Sequence, residues 1–332
     1  MRNLQIGMTA LGLALMGFFL SRYVDRSGPP VTVHLTPQPS QPRVPPGEAG
    51  LDPAALEAAA SYAGAHHTRA LVVGRNGHIV YEKYWGGTRF DSMVETGFEP
   101  VLVALAVGTA LNDRLLRSLD EPLANYIPAL GEPEKTFTLR ELLARDRAEL
   151  SVRQSTDLLA LALERVTAQP YQTVVAQRIW SPLGAGDLQF REGESKLRPG
   201  GVSADCCLRA RIGDWLRVGE LLLNDGIFEG NQLVPPRYIG LMTKPAHEDS
   251  PRGYFTRVDG SFAAHDVVWL EGSKKQRLWI VPSLRLAILR VGDEPSQGWD
   301  EAMIPDSIIR GTSGWHPPKP VEGADPNRYA PH

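Results

Sequence analysis

The stretch FDSMVETGFEPVLVALAVGTALNDRLLRSLDEP, residues 90–122, decides how this chain is read. From Val101 to Leu111 it is apolar, and Ala104, Ala106, Gly108 and Ala110 are small enough for close packing, so it predicts a buried helix. Asn112-Asp113 interrupts the run, and Leu119-Asp120-Glu121-Pro122 predicts a turn. Ser92 to Pro100 then falls where the helix would start. A helix start presents unpaired N–H groups and the positive end of the dipole, which suits a nucleophile or an anion.

Upstream, Asp52 is a candidate N-cap with Pro53 at the first helical position, and Ala54 to Ala63 is strong helix former. Ala70 to Trp85 alternates around Asn76-Gly77 and predicts a hairpin. Downstream, helices are predicted at Phe137–Leu143, at Leu158–Pro170 running on into Tyr171–Leu183, at Cys206–Gly226 and at Trp299–Arg310. Arg277–Val281 and Leu286–Arg290 predict a second hairpin around Pro282-Ser283. Strands at both ends with helices between them predict an α+β fold, an antiparallel sheet built from both chain ends with a helical lobe inserted. A doubly wound sheet would need strand and helix to alternate, and here they do not.

The 332 residues suffice for a large core, and 42% hydrophobic with 22% charged residues is ordinary globular composition. A net charge of -3 gives no footing for nucleic-acid binding. Residues 4–20 form an uncharged apolar run, longer than a usual signal-peptide core and without an Ala-x-Ala-like site. An uncleaved membrane anchor over residues 1–26 is therefore favoured, with secretion after signal cleavage as the alternative. Residues 27–50 are rich in proline and read as an extended spacer, residues 51–312 as the folded domain, and residues 313–332 as a Pro-rich tail. The neighbours Cys206 and Cys207 are read as two packed thiols in preference to a strained vicinal disulfide. His66-His67, His247 and His265 lack metal-ligand spacing, with His66-His67 read as a solvated or capping pair, so neither a metal nor a cofactor is expected. Gly74-Arg75-Asn76-Gly77 is a turn and does not resemble a phosphate loop, and the absence of Gly-x-Ser-x-Gly excludes an α/β-hydrolase elbow.

Several segments carry a family resemblance. Glu164-Arg-Val-Thr-Ala-Gln-Pro-Tyr171 resembles "ERxTGxPY", Ile179-Trp-Ser-Pro-Leu-Gly184 a "PLG" turn, Asp214-Trp-Leu-Arg-Val-Gly219 a "DWARxG" helix, and Gln276 to Pro282 a "GQxLxVxP" strand. Together these resemble the serine hydrolases of the β-lactamase and penicillin-binding-protein superfamily, especially class C-like esterases and 6-aminohexanoate-dimer hydrolases. The resemblance spans roughly residues 51–310 and implies a β-lactamase/transpeptidase-like fold.

The family's reactive residues are the ones that differ. Where it carries Ser-x-x-Lys, with a nucleophilic Ser and a Lys that assists proton transfer, the matching positions are Thr96 and Glu99. A second register, Ser92 with Glu95, falls about one turn too early and also has Glu for Lys. The family's Tyr-x-Asn, of which the Asn binds substrate, maps onto Ser151 and Arg153. Its Gly-x-x-Gly-Gln strand segment maps onto Gly272 to Gln276, with Gly272 and Gln276 kept as candidate ligand-binding positions and Lys275 in place of a Gly. Lys to Glu at the base position turns an attraction of about 4 kcal/mol, at roughly 4 Å and an effective dielectric near 20, into a similar repulsion. Loss of base assistance alone costs about 10²–10⁴ in rate. The resemblance with these replacements implies a membrane-anchored, catalytically impaired relative on the periplasmic side that binds a cell-envelope protein or a peptidoglycan-like ligand. The alternative is an active serine- or threonine-type hydrolase of esters, amides or β-lactams, with Ser92 or Thr96 as nucleophile and Glu95, Glu99 or Lys275 as helper.

Overall fold

Residues 30–50 lie against the body of the protein instead of leading away from it. The computed structural model describes residues 30–317 apart from 194, 249 and 259. Its first strand, β1 (Val31–Val33), pairs antiparallel with Leu188–Phe190. Further along, Arg43 bridges Ile79 and its guanidinium binds Glu82 at 2.8 Å, so this proline-rich segment is extended but docked and is not a free spacer. The anchor expected over residues 4–20 lies outside the described residues, among which no helix is long and apolar enough to cross a membrane.

Helix α1 (Pro53–Ala65) starts as the sequence predicts, with Asp52 accepting from the Ala54 N–H at 2.9 Å. Strands β2 (Thr68–Arg75) and β3 (His78–Tyr84) join through Asn76 and Gly77, both at positive φ as a two-residue hairpin turn requires. Short β4 (Met93–Glu95) leads into α2 (Glu99–Asn112), followed by α3 (Leu139–Ala144), α4 (Val152–Thr167) and α5 (Tyr171–Val175). After β5 (Leu188–Phe190) and β6 (Arg209–Arg211) come α6 (Ile212–Leu223), the small hairpin β7 (Ile227–Phe228) and β8 (Asn231–Gln232), and α7 (Pro236–Thr243). The chain closes with β9 (Val268–Glu271), β10 (Arg277–Val281), β11 (Leu286–Gly292) and α8 (Met303–Arg310).

The main sheet is antiparallel in the order β3-β2-β11-β10-β9, so both ends of the chain build it, while β1-β5-β6-β4 form a second sheet. Alternation along the main sheet buries both faces. Ala70, Val72, Leu278, Ile280 and Leu289 face the inserted helices; Leu71, Val73, Trp279, Val281 and Ile288 face α1 and α8. Helix α2 is buried on nearly all sides, and a Cβ at Gly108 would lie 2.8 Å from the Tyr238 ring, so that glycine sets how closely α7 approaches.

The scaffold motifs have identifiable work. Asp214 accepts from the Gly186 N–H at 3.0 Å and Arg217 donates to Leu183 O at 2.8 Å, fastening α6 to the Pro-Leu-Gly turn. Glu164 accepts from the Tyr171 N–H and from the buried Arg198 guanidinium at 2.9 and 3.0 Å, fixing the break between α4 and α5. Three helix expectations need correction. The helix expected from Leu158 begins at Val152, after the Ser151 cap, and ends at Thr167 instead of running on into Tyr171. The helix expected from Cys206 begins only at Ile212, because Arg209–Arg211 are drawn into strand pairing with Met93–Glu95. The helix expected from Trp299 begins at Met303.

Candidate functional site

Thr96 is 0% exposed, and its hydroxyl accepts from the Phe98 N–H at 3.4 Å in the turn just before α2. Gly97 follows with φ +83°, which turns the chain into the helix and brings it against the β9–β10 connection. Glu99, in the first turn of α2, is also buried; one carboxyl oxygen accepts from the Leu208 N–H at 2.6 Å and the other has no partner. Burial pushes its pKa up to about 8, against the lowering by backbone hydrogen bonds, and the nearby acids Glu95 and Asp205 add to the rise. At neutral pH the carboxyl is therefore mostly protonated. It cannot do what a lysine ammonium does, and a protonated acid is a poor base.

The connection from Gly272 to Gln276 closes over this point. Ser273 N–H donates to Thr96 O at 3.1 Å, and the buried Gln276 amide donates to Glu95 O and Thr96 O at 2.9 and 3.2 Å. A Cβ on Gly272 would lie 2.1 Å from Thr96 O, so only glycine lets the two backbones meet. From the other side the fully buried Arg290 donates to Lys274 O and Lys275 O at 3.2 and 2.8 Å, and to Thr68, His66 and Asp293. Lys275 itself is exposed on the turn. The polar groups of Gly272 and Gln276 are thus spent on the protein's own backbone.

The second register behaves differently from a helical Ser-x-x-Lys. Ser92 accepts from the Arg89 N–H at 2.9 Å in a turn, and Met93–Glu95 is a strand. Residues three apart in a strand point to opposite faces, so Ser92 and Glu95 are not set side by side as the helical motif would set them. Ser151 is the N-cap of α4, forming a capping box with Gln154 that a Ser-x-x-Gln pattern announces in the sequence. Arg153 pairs with Asp205 at 3.3 Å. Thr96 and Glu99 are therefore together at one point, with Gly272 and Gln276 over them, while Ser151 serves a helix end.

Cys206 and Cys207 are joined in a vicinal disulfide, correcting the expectation of two thiols. Cys207 takes φ +72°, and the turn so formed sets Asp205 toward Arg153 and the Leu208 N–H toward Glu99. His66 caps α1 and His67 binds Glu294 O at 2.8 Å, the capping role read from the sequence.

In front of the α2 start lies an open cavity of about 220 Å³, whose lining includes Gly97, Phe98, Val101, Phe255, Asp205 and Glu271, joined by three arginines, Arg145, Arg252 and Arg257. Arg145 ends α3 in a left-handed conformation, φ +59°. Arg252 and Arg257 face each other across a bridge whose second member pairs its backbone with Trp269, beyond the edge of β9. Burial lowers the pKa of Arg145, and Arg252 lowers it further. No local pattern pointed to these arginines, since they come from loops more than 100 residues apart that only the fold brings together. Among the described residues no group of His, Cys, Asp and Glu could hold a metal ion.

No protein-family model matches the chain. Solved structures do. A Bacillus anthracis protein assigned as a 6-aminohexanoate-dimer hydrolase superposes with a TM-score of 0.66 at 18% identity, over 81% of this chain and 86% of that one. A Bacteroides dorei protein assigned as a β-lactamase gives 0.63 at 15% identity, over 79% and 99%. EstCE1, described as a hydrolase with promiscuous acyltransferase activity, gives 0.59 at 14% identity, over 77% and 95%. The sheet drawn from both chain ends, the helical lobe between its halves and these superpositions agree: the chain has the α+β fold of the serine β-lactamases and penicillin-binding proteins.

Proposed function

We propose that this protein uses the β-lactamase fold to bind, and that the acyl-transfer chemistry of hydrolases with this fold is lost. The observation that carries the reading is the burial of Thr96 beneath the Gly272–Gln276 turn, with a protonated Glu99 where a cationic base would be needed. A nucleophile must be reached by its substrate and relieved of its proton, and neither condition is met here. The reading includes a membrane anchor at residues 4–20, a periplasmic domain, and a cell-envelope protein or peptidoglycan-like ligand as partner. Washing membranes with high salt tests the anchor, since an anchored chain stays in the membrane fraction and a secreted one does not.

A threonine-type hydrolase is the second reading, and its support is the unpartnered Glu99 oxygen in the turn that follows Thr96. The names of the structural neighbours suggest esters, amides and β-lactams as substrates to try. With a p-nitrophenyl ester and a chromogenic β-lactam, the proposal expects the native protein and a Thr96→Ala variant to hydrolyse equally slowly. Hydrolysis that disappears in Thr96→Ala would overturn it.

A further inference from the structure

The arginine-lined cavity has a charge pattern that the loss of hydrolysis does not explain. Its two acids are already engaged: Asp205 with Arg153 at 3.3 Å and the Ser203 hydroxyl at 3.0 Å, Glu271 with Arg277 at 3.6 Å and Arg257 at 3.9 Å. Arg145 and Arg252 make no side-chain hydrogen bond or ion pair among the described residues, yet both line this one cavity. Two guanidiniums held near each other repel, the Glu271 carboxylate offsets only part of this, and the start of the 14-residue helix α2 adds the positive end of its dipole to the same space. Apart from Thr256, the rest of the lining is apolar, chiefly Phe98, Val101, Val152 and Phe255. At about 220 Å³ the space is below the roughly 300–1,000 Å³ of sites that enclose drug-sized ligands, so its occupant is small. The same two arginines also border a more open cavity with Asp146, His247 and Ser250, which leaves room for a larger molecule to continue outward.

We propose that this cavity binds an organic dianion, an apolar group bearing either a phosphate or a pair of carboxylates, with its oxygens between Arg145 and Arg252 and its apolar part against Phe98 and Phe255. The inference rests on the non-hydrolytic reading above and gives its ligand a chemical class. Guanidinium forks match both kinds of oxyanion in two-pronged hydrogen bonds, so phosphate and dicarboxylate are two sources of one recognised chemistry. A neutral analogue would leave both charges uncompensated, and a monoanion would compensate one.

The test is calorimetric titration of the full chain, in phosphate-free buffer at low salt, with phenyl phosphate, phthalate, benzoate and benzyl alcohol. Phenyl phosphate or phthalate is expected to bind at least tenfold more tightly than benzoate, with benzyl alcohol weakest; which of the two dianions leads identifies the source. Arg145→Gln and Arg252→Gln are each expected to weaken the dianion at least tenfold with an unchanged melting temperature, and Arg252→Lys to lose less. Equal binding of benzyl alcohol and phenyl phosphate, or full affinity in both Gln variants, would overturn the proposal. Intact mass after exposure to a fluorophosphonate separates the two readings. An adduct on Thr96 counts against the non-hydrolytic reading alone, and lost dianion selectivity without an adduct counts against this inference alone.

Discussion

The two sides of the α2 start have opposite fates. On one, Thr96 and Glu99 are sealed beneath the Gly272–Gln276 turn, and burial has neutralised the one ionisable group. On the other, Arg145, Arg252 and Arg257 stand around an open cavity. The same helix end serves both. Positive charge at this point thus lines the open cavity and not the buried pocket around Thr96 and Glu99. On the proposed reading, the attraction for negative charge is kept while the buried side carries no reaction.

Five substitutions would break or sharpen that contrast. The largest effect is expected for Arg290→Ala, which leaves four backbone carbonyls without their donor and frees the turn over Thr96. Denaturant unfolding should show a loss of about 3–5 kcal/mol. Gly272→Ala places a methyl group against Thr96 O and the Phe98 ring and should cost about 1–3 kcal/mol. Amide exchange at Phe98 should accelerate in that variant, because the seal and not the helix is what it strains.

Glu99→Gln tests the neutral carboxyl. The folded pKa of about 8 lies above the ordinary 4.5, so the folded state holds a proton that the unfolded state releases between those values. The wild type's stability relative to Glu99→Gln is therefore greatest below pH 4.5, falls by about 1.4 kcal/mol per pH unit as pH rises through the window, and levels off above about 8. Unfolding curves of both proteins at pH 5, 6 and 7 measure it; a flat difference would mean that Glu99 is ionised throughout. The smallest stability effect is expected on the open side. Arg145→Gln and Arg252→Gln should change unfolding by no more than about 0.5 kcal/mol, because these side chains make no hydrogen bond or ion pair among the described residues.

Much of the fold was legible because it rests on local chemistry. Asn76-Gly77, Asp52-Pro53 and the small-residue run around Gly108 each specify a backbone arrangement by themselves. Asp214 with Arg217, and Glu164 ahead of Tyr171, marked the scaffold because their partners are fixed backbone groups. Element starts were less legible where a distant strand competed, as Met93–Glu95 does for Arg209–Arg211. At the site, Thr96 and Glu99 could be located by counting back from the Asp120-Glu121-Pro122 turn, but not their burial, which depends on a turn more than 170 residues away. Ser151 was placed by family spacing, while its capping partner three residues on was the better guide to its role. The disulfide depended on Cys207 taking a left-handed conformation, which two adjacent cysteines do not announce. The arginine cavity was not legible at all, since nothing in the neighbourhood of Arg145 points to Arg252.

Intact mass spectrometry after incubation with a fluorophosphonate and a fluorescent β-lactam, with an active β-lactamase labelled alongside, tests the central claim most directly. A sealed Thr96 beside a protonated Glu99 predicts an unmodified mass for the folded protein with both reagents. A single adduct mapping to Thr96, and absent in Thr96→Ala, would contradict the account and make the protein an acyl-transfer enzyme.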